Sequence, residues 1–361
     1  MSNKTDFFNS LRKNAEREFV PIDILFELTG RCNFNCEMCY VHTLDTIKAL
    51  HEELDTDTWI ELFDMAISAG MLFATLSGGE CLLRRDFEDL YLHLYTHGVR
   101  IRINTNGFLL NEQRINFLKA YRPEAIQISL YGTNDEEYKL STGTPAFSVI
   151  QKNLLQLKEA GIHVNIAITP SEQSKLFVNK LIDFAVDNKY SVRLTELYLP
   201  RRDDNADNDS NNRLSVADIN SYAKYYAEKN GRTLTAVPLN SLPEPGKNGE
   251  DIPLKMHCTA GKNRAQIDWR GVMHPCVALQ GISYPILSGS YLDGWKHICD
   301  EMAKIQFPSK CNSCYYKNVC TPCTAFRSDP PGSTKCNDLA CKLIRMKTAC
   351  GLLKPERRNA E

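Results

Sequence analysis

Six short apolar runs alternate with amphipathic stretches through the first half of the chain, and this alternation restricts the fold more than any other feature. The apolar runs predict strands at 21–28, 71–76, 99–103, 125–130, 162–168 and 192–197. The stretches between them have helical spacing and predict helices at 55–69, 85–96, 111–120, 147–160 and 174–188. Repeated strand–helix units with short connections are typical of a parallel sheet covered by helices.

The number of these units limits the barrel that the sheet can form. A closed barrel of eight units needs about 250 residues, whereas six units lie before residue 200 in this chain. We therefore predict an α/β fold whose main part, residues 21–237, is an open, partial (β/α)6 barrel of the TIM type. Residues 1–20 form a polar N-terminal lead-in that accommodates one helix.

Composition divides the rest of the chain. Residues 201–213 are almost wholly polar and predict a mobile loop, whereas residues 238–257 contain four prolines and predict a linker. Ten cysteines follow this linker, so we predict a small Cys-rich second domain at 258–353 and a tail at 354–361. The length of 361 residues agrees with about two domains.

Cysteine usage points to metal binding. Three of the 14 cysteines cluster at Cys32, Cys36 and Cys39, and only Cys81 lies between this cluster and Cys258. The first twenty residues are polar and charged and contain no signal-peptide pattern, so we expect a cytoplasmic protein. In that reducing compartment, clustered cysteines indicate metal ligands or catalytic groups rather than disulfides.

Charge and hydropathy exclude two classes of partner. The 43 basic residues are balanced by 44 acidic ones, which gives a net charge of −1. Non-specific binding to nucleic acid or to an anionic membrane surface needs an excess of basic residues. No apolar run approaches the ~20 residues that a bilayer span requires. We therefore expect neither a nucleic-acid partner nor a membrane.

The first cysteine cluster directly follows the first predicted strand, with the spacing Cys32-x3-Cys36-x2-Cys39. Active sites of parallel α/β barrels lie at the C-terminal ends of the strands. Three thiolates on one tight loop can bind three irons of a 4Fe–4S cluster, which normally takes four cysteines, and the fourth iron then stays open. A zinc site with a distant fourth ligand, such as His42, is the alternative.

Residues 30–40, which read Gly-Arg-Cys-Asn-Phe-Asn-Cys-Glu-Met-Cys-Tyr, closely resemble the cluster-binding signature of radical S-adenosylmethionine (SAM) enzymes. Further motifs of that family follow in order, each at the end of a predicted strand. They are Ser77-Gly78-Gly79-Glu80, Thr105-Asn106-Gly107 and Ile128-Ser129-Leu130-Tyr131-Gly132. The resemblance covers nearly the whole chain.

The resemblance implies two cofactors at this first site, a 4Fe–4S cluster and SAM, with the amino and carboxylate groups of SAM on the open iron. One electron from the cluster would cleave SAM into methionine and a 5′-deoxyadenosyl radical, which abstracts hydrogen from the substrate. The residues expected to bind SAM are Tyr40, Ser77, Gly78, Gly79, Glu80, Asn104, Asn106, Ser129 and Leu197.

Several roles follow from the resemblance. Gly78 and Gly79 would let the backbone approach the methionine part of SAM, because glycine has no Cβ. Glu80 would accept a hydrogen bond from the ammonium group. Ser129 and Asn104 would bind the ribose or the carboxylate, and the backbone after Tyr40 would contact the adenine.

Two positions depart from the family pattern. Cys81 stands where the family usually has proline, and it is either a small buried residue or a thiol that donates a hydrogen atom near the radical. Ser141 stands about where relatives often carry an arginine that contacts SAM.

The C-terminal cysteines resemble those of the SPASM domain, which carries auxiliary iron–sulfur clusters in many radical SAM enzymes. The resemblance implies one 4Fe–4S cluster on Cys311, Cys314, Cys320 and Cys341, with Cys336 as the alternative to Cys341. It implies a second cluster on Cys258, Cys276 and Cys323, where this chain lacks the further cysteine found in relatives with a full set. A zinc ribbon is the alternative.

SPASM-bearing relatives mostly modify peptides or proteins, so we expect a maturase of a ribosomally made peptide. Such an enzyme would form a thioether or carbon–carbon crosslink in the peptide, or would oxidise or epimerise one of its residues. Because only 31 residues precede Cys32, we expect a separate leader-binding protein or direct substrate binding, and a flavodoxin- or ferredoxin-type electron donor. Alternatives are an enzyme acting on a tetrapyrrole or other small molecule, a protein oxidase similar to sulfatase maturases, and a non-catalytic electron carrier.

Overall fold

Nine strands form a single sheet at the centre of the computed structural model, which describes residues 2–41, 46–196, 199, 202, 214–245, 258–320, 323, 325 and 338–355. The strands are β1 (Asp23–Glu27), β2 (Phe73–Ser77), β3 (Arg100–Thr105), β4 (Ala125–Ser129), β5 (Val164–Ile168), β6 (Ser191–Leu194), β7 (Arg264–Ile267), β8 (Val272–His274) and β9 (Tyr284–Pro285). Their order across the sheet is β6-β5-β4-β3-β2-β1-β7-β8-β9.

The six predicted strands are confirmed as β1 to β6, and each pairs in parallel with its sequence neighbour. A parallel pair needs a crossover connection, which the intervening helices supply. The C-terminal ends of β1 to β6 therefore lie at the same edge of the sheet. The partial-barrel α/β fold is confirmed, although β6 ends at Leu194 and the predicted site residue Leu197 lies outside the described residues.

Eleven α-helices are found among the described residues. They are α1 (Ser2–Glu18), α2 (Thr46–Glu52), α3 (Thr56–Ser68), α4 (Phe87–Thr96), α5 (Glu112–Ala120), α6 (Asp135–Thr142), α7 (Phe147–Glu159), α8 (Val178–Asp187), α9 (Val216–Lys229), α10 (Tyr291–Ala303) and α11 (Asp338–Ala349). The five predicted helices correspond to α3, α4, α5, α7 and α8. Within the part of the chain that is described, no helix has both the length and the apolar character needed to cross a membrane.

Local chemistry explains where these helices begin. The Asp55 side chain accepts a hydrogen bond from the backbone of Thr58 at the start of α3, and Asn111 accepts one from Arg114 at the start of α5. Both satisfy an amide that has no partner within its own helix. Gly98, with φ +77°, follows the end of α4, where a left-handed residue is needed.

The core lies between the sheet and its helices. Phe26 on β1 is fully buried, and its ring packs edge-on against Phe63 of α3 at a centroid distance of 4.8 Å. Trp59, one turn earlier on α3, completes this aromatic group. Burial of each such side chain stabilises the fold by about 1.5–3 kcal/mol.

The C-terminal segment, which begins at residue 258, contacts both edges of the sheet formed by β1 to β6. At one edge, β7 pairs in parallel with β1, so the sheet continues past the predicted linker and into the predicted second domain. At the other edge, Lys347 of α11 pairs with Glu196, just beyond β6, and Asn220 of α9 donates to Cys350 at 2.9 Å. The predicted boundaries at 238, 258 and 354 stay predictions, and the predicted loop at 201–213 lies outside the described residues except for Arg202.

Replacement of Ile267 by alanine tests whether β7 and β1 share one core. Ile267 is fully buried on β7. The cavity is expected to lower the free energy of unfolding by about 2–5 kcal/mol and to reduce amide protection in both strands. Hydrogen exchange of β1 and β7 in rising urea measures this effect.

Leu292→Ala is the control, because this leucine on α10 is 63% exposed and its loss should leave protection near the wild-type level. Loss of protection in β7 without any change in β1 would show that the two strands belong to independent units.

Candidate functional site

The loop that carries Cys32, Cys36 and Cys39 leaves β1 at the C-terminal edge of the sheet. Burial raises the pKa of the Cys32 thiol to about 12, and the nearby charge of Cys39 acts in the same direction. Burial likewise raises the pKa of Cys36, reinforced by the charges of Cys39 and Cys32. Cys36 is buried and Cys32 and Cys39 are half-buried, and the charges of these thiols act on one another, so all three belong to one partly shielded site.

Hydrogen-bond donors are directed at these sulfur atoms. The Phe34 amide donates to Cys32 Sγ at 3.4 Å, and Asn106 Nδ2 lies 3.9 Å from the same atom. Tyr131 lies beside Cys36 and opposes the rise in the pKa of its thiol. Buried thiolates need both a cation and donors of this kind, and iron bound by three cysteines supplies the cation. The residues therefore fit a 4Fe–4S cluster, whereas His42, the suggested zinc ligand, lies outside the described residues.

Aromatic packing positions the cysteine loop. The Phe34 ring packs against Phe108 after β3, at a centroid distance of 5.7 Å, and against Tyr138 of α6 at 6.2 Å. The Asn35 amide donates to the carbonyl of Thr142 at 3.0 Å. The loop is thus held by α6, a short helix that was not predicted.

The Gly78-Gly79-Glu80 segment after β2 lies directly against the residues that precede Cys32. The Gly79 amide donates to the Thr29 carbonyl, and the Glu80 amide donates to the Arg31 carbonyl, both at 2.8 Å. A Cβ at Gly78 would meet the Thr29 oxygen at 2.4 Å, and one at Gly79 would meet the Arg31 oxygen at 2.3 Å. This backbone contact within the protein requires both glycines, and their contact with SAM stays a prediction.

The Glu80 carboxylate is fully buried and joins the ends of β2 and β3. It accepts hydrogen bonds from Thr105 Oγ1 at 2.8 Å, from the Asn106 amide at 2.7 Å and from the Leu82 amide at 3.1 Å. Burial raises the pKa of Glu80, and these hydrogen bonds oppose that rise. Glu80 therefore orders Asn106 beside Cys32, while its predicted contact with the SAM ammonium group stays a prediction.

Ser77, Asn104 and Ser129 lie at the same edge of the sheet, at the ends of β2, β3 and β4. Ser129 lies beside Tyr131, which in turn lies beside Cys36. Tyr131 belongs to the motif at the end of β4, but the motif alone assigns it no role at the site. The sequence signal for it is the tyrosine in Ser129-Leu130-Tyr131-Gly132.

Cys81 is fully buried, and its Sγ lies 3.5 Å from the Asn104 carbonyl oxygen. Burial raises the pKa of this thiol well above its ordinary value. These surroundings are typical of a packed core residue. Ser141, at the position where relatives often have arginine, is also buried, and its hydroxyl has no hydrogen-bond partner among the described residues.

Glu27, the last residue of β1, is a site residue that sequence reasoning missed. Its buried carboxylate accepts hydrogen bonds from Tyr40 at 3.1 Å, from Arg202 at 2.6 and 3.0 Å, and from Gln266 of β7 at 2.7 Å. The Arg202 guanidinium lies 5.1 Å from the centre of the Tyr40 ring, and its amide donates to the Tyr40 carbonyl. Tyr40, the aromatic residue of the signature, is thus held through its hydroxyl, its ring and its backbone carbonyl.

The sequence profile of the Radical SAM superfamily matches residues 26–173, which span β1 to β5 and include all the residues described above between Glu27 and Ser141. Residues 26–173 form a radical SAM domain. The cofactors of this superfamily are a 4Fe–4S cluster and SAM, in agreement with the donor set around Cys32, Cys36 and Cys39.

Three similar proteins illustrate the range of the superfamily around this chain. The AdoMet-dependent heme synthase of Methanosarcina barkeri is 25% identical over 84% of this chain and 91% of its own length. The sporulation killing factor maturation protein SkfB of Bacillus subtilis is 26% identical over 46% of this chain and 40% of its own length. The structure of Streptococcus suis SuiB bound to the precursor peptide SuiA is similar in fold, with a TM-score of 0.67, 19% identity, and coverage of 90% of this chain and 76% of SuiB.

Three C-terminal cysteines, outside the radical SAM domain, also lie near one another. Burial raises the pKa of Cys276 to about 12, and the nearby charges of Cys323 and Cys258 act in the same direction. Cys258 precedes β7 and Cys276 follows β8, so the antiparallel turn between these strands places them near each other. Their role as ligands of an auxiliary cluster stays a prediction.

The second predicted ligand group spans a loop and α11. Cys311, Cys314 and Cys320 lie on successive turns, and Cys341 is on α11. Tyr316 of the loop donates to the Pro243 carbonyl at 2.7 Å, and Arg345, one turn after Cys341 on α11, donates to the adjacent Leu242 carbonyl at 3.1 Å. The loop and this part of the helix are therefore adjacent, whereas the alternative ligand Cys336 lies outside the described residues.

Gly79→Ala should prevent the first site from forming. The new Cβ would lie 2.3 Å from the Arg31 carbonyl, next to Cys32, and neither backbone can move without displacing the cysteine loop. Overpacking of this kind costs about 1–3 kcal/mol, and we expect loss of the SAM-responsive iron–sulfur signal in the electron paramagnetic resonance (EPR) spectrum.

Gly98→Ala is the matched control, since it introduces strain at a positive φ but its Cβ has no neighbour within 4 Å. It should lose stability and keep the signal. A Gly79→Ala protein with the wild-type signal and iron content would refute the structural role of this glycine.

Proposed function

We propose that this protein is a radical SAM/SPASM enzyme that modifies a peptide substrate. The observation that carries the proposal is the group of Cys32, Cys36 and Cys39 on one partly buried loop at the C-terminal edge of a parallel sheet, with the Phe34 amide and Asn106 Nδ2 directed at Cys32 Sγ. This group has three cysteines with directed donors, and a 4Fe–4S cluster held in this way keeps one iron open for SAM. An electron carrier has no use for an open iron.

The chain's own residues bind and orient the cofactors. Cys32, Cys36 and Cys39 would hold the cluster, while Asn106 donates to the Cys32 sulfur and Tyr131 lies beside Cys36. When bound, the cluster supplies the electron that cleaves SAM into methionine and a 5′-deoxyadenosyl radical, which takes hydrogen from the substrate. The protein contributes position and exclusion of side reactions.

A peptide is the substrate class that the similar proteins favour. SkfB is a maturation protein, and SuiB has been captured with its precursor peptide. We propose that the substrate is a ribosomally made peptide and that the product carries a thioether or carbon–carbon crosslink, an oxidised residue or an inverted stereocentre.

A tetrapyrrole substrate is the second candidate. The observation in its favour is the heme synthase, which is similar over 84% of this chain, well beyond the first site alone. A peptide and a tetrapyrrole differ in size and polarity, so an assay that offers each of them as substrate separates the two candidate functions.

The proposal includes further components. Residues 258–353 would form a SPASM domain with one or two auxiliary 4Fe–4S clusters, which accept the electron released as product forms or bind a substrate thiolate. A flavodoxin- or ferredoxin-type protein would reduce the first cluster in the cytoplasm. A separate leader-binding protein would present the peptide.

Production of 5′-deoxyadenosine tests the reaction. Protein reconstituted with iron and sulfide without oxygen, then given SAM and dithionite, should form 5′-deoxyadenosine, measured by mass spectrometry. The Cys32/Cys36/Cys39→Ala variant should form none above background. Product in the variant, or none in an iron-loaded wild type supplied with substrate, would contradict the proposal.

The same assay separates the substrates. A peptide encoded beside the gene should raise 5′-deoxyadenosine formation at least tenfold and should either lose hydrogen mass or, if a stereocentre is inverted, take up deuterium from heavy water, whereas iron-coproporphyrin should do neither. The opposite result would establish the tetrapyrrole reaction.

The role of Cys81 is tested in heavy water. If Cys81 donates hydrogen to a substrate radical, Cys81→Ala should keep SAM cleavage but form a product without solvent deuterium. If the residue only packs the core, the variant loses about 1 kcal/mol of stability and its product keeps the wild-type deuterium content.

A further inference from the structure

Glu27 uses all the acceptor capacity of its carboxylate. Oε1 accepts hydrogen bonds from Tyr40 and Arg202, and Oε2 accepts them from Arg202 and Gln266. A carboxylate has about four lone-pair positions, and all four are filled here. Glu27 and Gln266 are both essentially inaccessible to solvent, so water cannot replace a lost donor.

The Gln266 side chain can adopt only one orientation. Its Nε2 faces the Glu27 carboxylate at 2.7 Å, so its Oε1 must face the opposite way. There it accepts a hydrogen bond from Gln280 Nε2 at 2.9 Å, and the same nitrogen donates to the Cys276 carbonyl at 3.1 Å. Every group in this series has a defined donor or acceptor role.

The series connects the two regions that carry clustered thiols. It runs from Tyr40, which follows Cys39, through Glu27, Gln266 and Gln280 to the backbone of Cys276. These residues come from β1, β7 and the loop after β8, and they meet because β7 pairs with β1.

Packing beside this series also fixes the turn before Cys276 against the residues that precede Cys32. The Trp269 ring, in the turn between β7 and β8, lies against Gly30, where a Cβ would be 2.8 Å from the indole. The Trp269 carbonyl accepts a hydrogen bond from the Leu54 amide at 3.0 Å. The turn before Cys276 therefore cannot shift without disturbing the residues before Cys32.

We infer that Gln266 and Gln280 are positioning residues that couple the environment of the first cluster to the occupancy of the auxiliary site at Cys258, Cys276 and Cys323. The inference rests on the proposed function, since it takes both sites to hold iron–sulfur clusters. A change at Cys276 moves its carbonyl, which reorients Gln280, Gln266 and the shared carboxylate, and thereby moves Tyr40 beside Cys39. Hydrogen-bonded groups around ligands tune both ligand orientation and cluster potential.

A double-mutant cycle tests the coupling. Wild type and Gln266→Met are each prepared with and without the Cys258→Ala/Cys323→Ala pair. This pair removes two predicted auxiliary ligands, while Cys276 itself, whose carbonyl is the end of the series, is not substituted. Methionine keeps the side-chain volume and removes the hydrogen bonds. The readouts are the EPR spectrum of the first cluster, identified by its response to SAM, and its midpoint potential.

The expected result is non-additive. Removal of the auxiliary ligands should shift the spectrum and the potential of the first cluster in the wild-type background, and this shift should disappear in Gln266→Met. Gln127→Met is the matched control, because Gln127 is a half-buried glutamine on β4 whose side chain contacts Arg193 and not this series. The control should retain the shift.

Gln280→Met provides an independent variant at the other end of the series and should also abolish the shift. An equal shift in wild type, Gln266→Met and Gln280→Met, or no shift in any of them, would overturn the inference. If Gln266→Met fails to fold, as judged by circular dichroism and iron content, Gln280→Met decides the question.

Measurement of 5′-deoxyadenosine in the same proteins separates this inference from the proposed function. SAM cleavage without any coupling overturns the inference alone, whereas a wild type that binds no SAM-responsive cluster overturns the proposed function as well.

Discussion

Backbone pairing of β1 with β2 on one side and with β7 on the other is the interaction on which the rest of the site depends. Because all three strands run in parallel, their C-terminal ends meet at one edge of the sheet. The cysteine loop leaves β1, the Gly78-Gly79-Glu80 segment leaves β2, and Gln266 reaches the end of β1 from β7. Residues more than 200 positions apart are thereby placed within hydrogen-bonding distance of Glu27.

Much of the machinery around the first site serves to hold the cysteine loop. The Glu80 carboxylate accepts hydrogen bonds from Thr105 and Asn106. Gly78 and Gly79 have no Cβ and therefore allow close contact with the backbone before Cys32. Asn106 Nδ2 reaches the Cys32 sulfur directly, and the Tyr131 side chain lies beside Cys36. A loop with three thiolates around a cluster needs this support, because ionising shielded thiols without compensation is costly.

The C-terminal segment is part of the same architecture. It extends the sheet through β7 to β9 and returns to the far edge through α11, where Lys347 pairs with Glu196. An open barrel leaves strand edges unpaired, and such edges favour unwanted association. The segment thus covers the edge beside β1, contacts the edge beside β6, and carries its own thiols close to the first site.

The sequence by itself determined the parallel α/β fold, the six strands to within a few residues, the cysteine loop and the resemblance to radical SAM enzymes, because hydrophobic periodicity and motif spacing are local properties. It also grouped Cys258 with Cys276 and Cys323, through the family resemblance. Only the tertiary structure revealed Glu27, Arg202, Gln266 and Gln280, since single polar residues in strands and loops have no periodic signal. The continuous sheet across the predicted domain boundary was hidden for the same reason: pairing of β1 with β7 joins residues about 240 positions apart, and strand pairing at that distance is decided by packing.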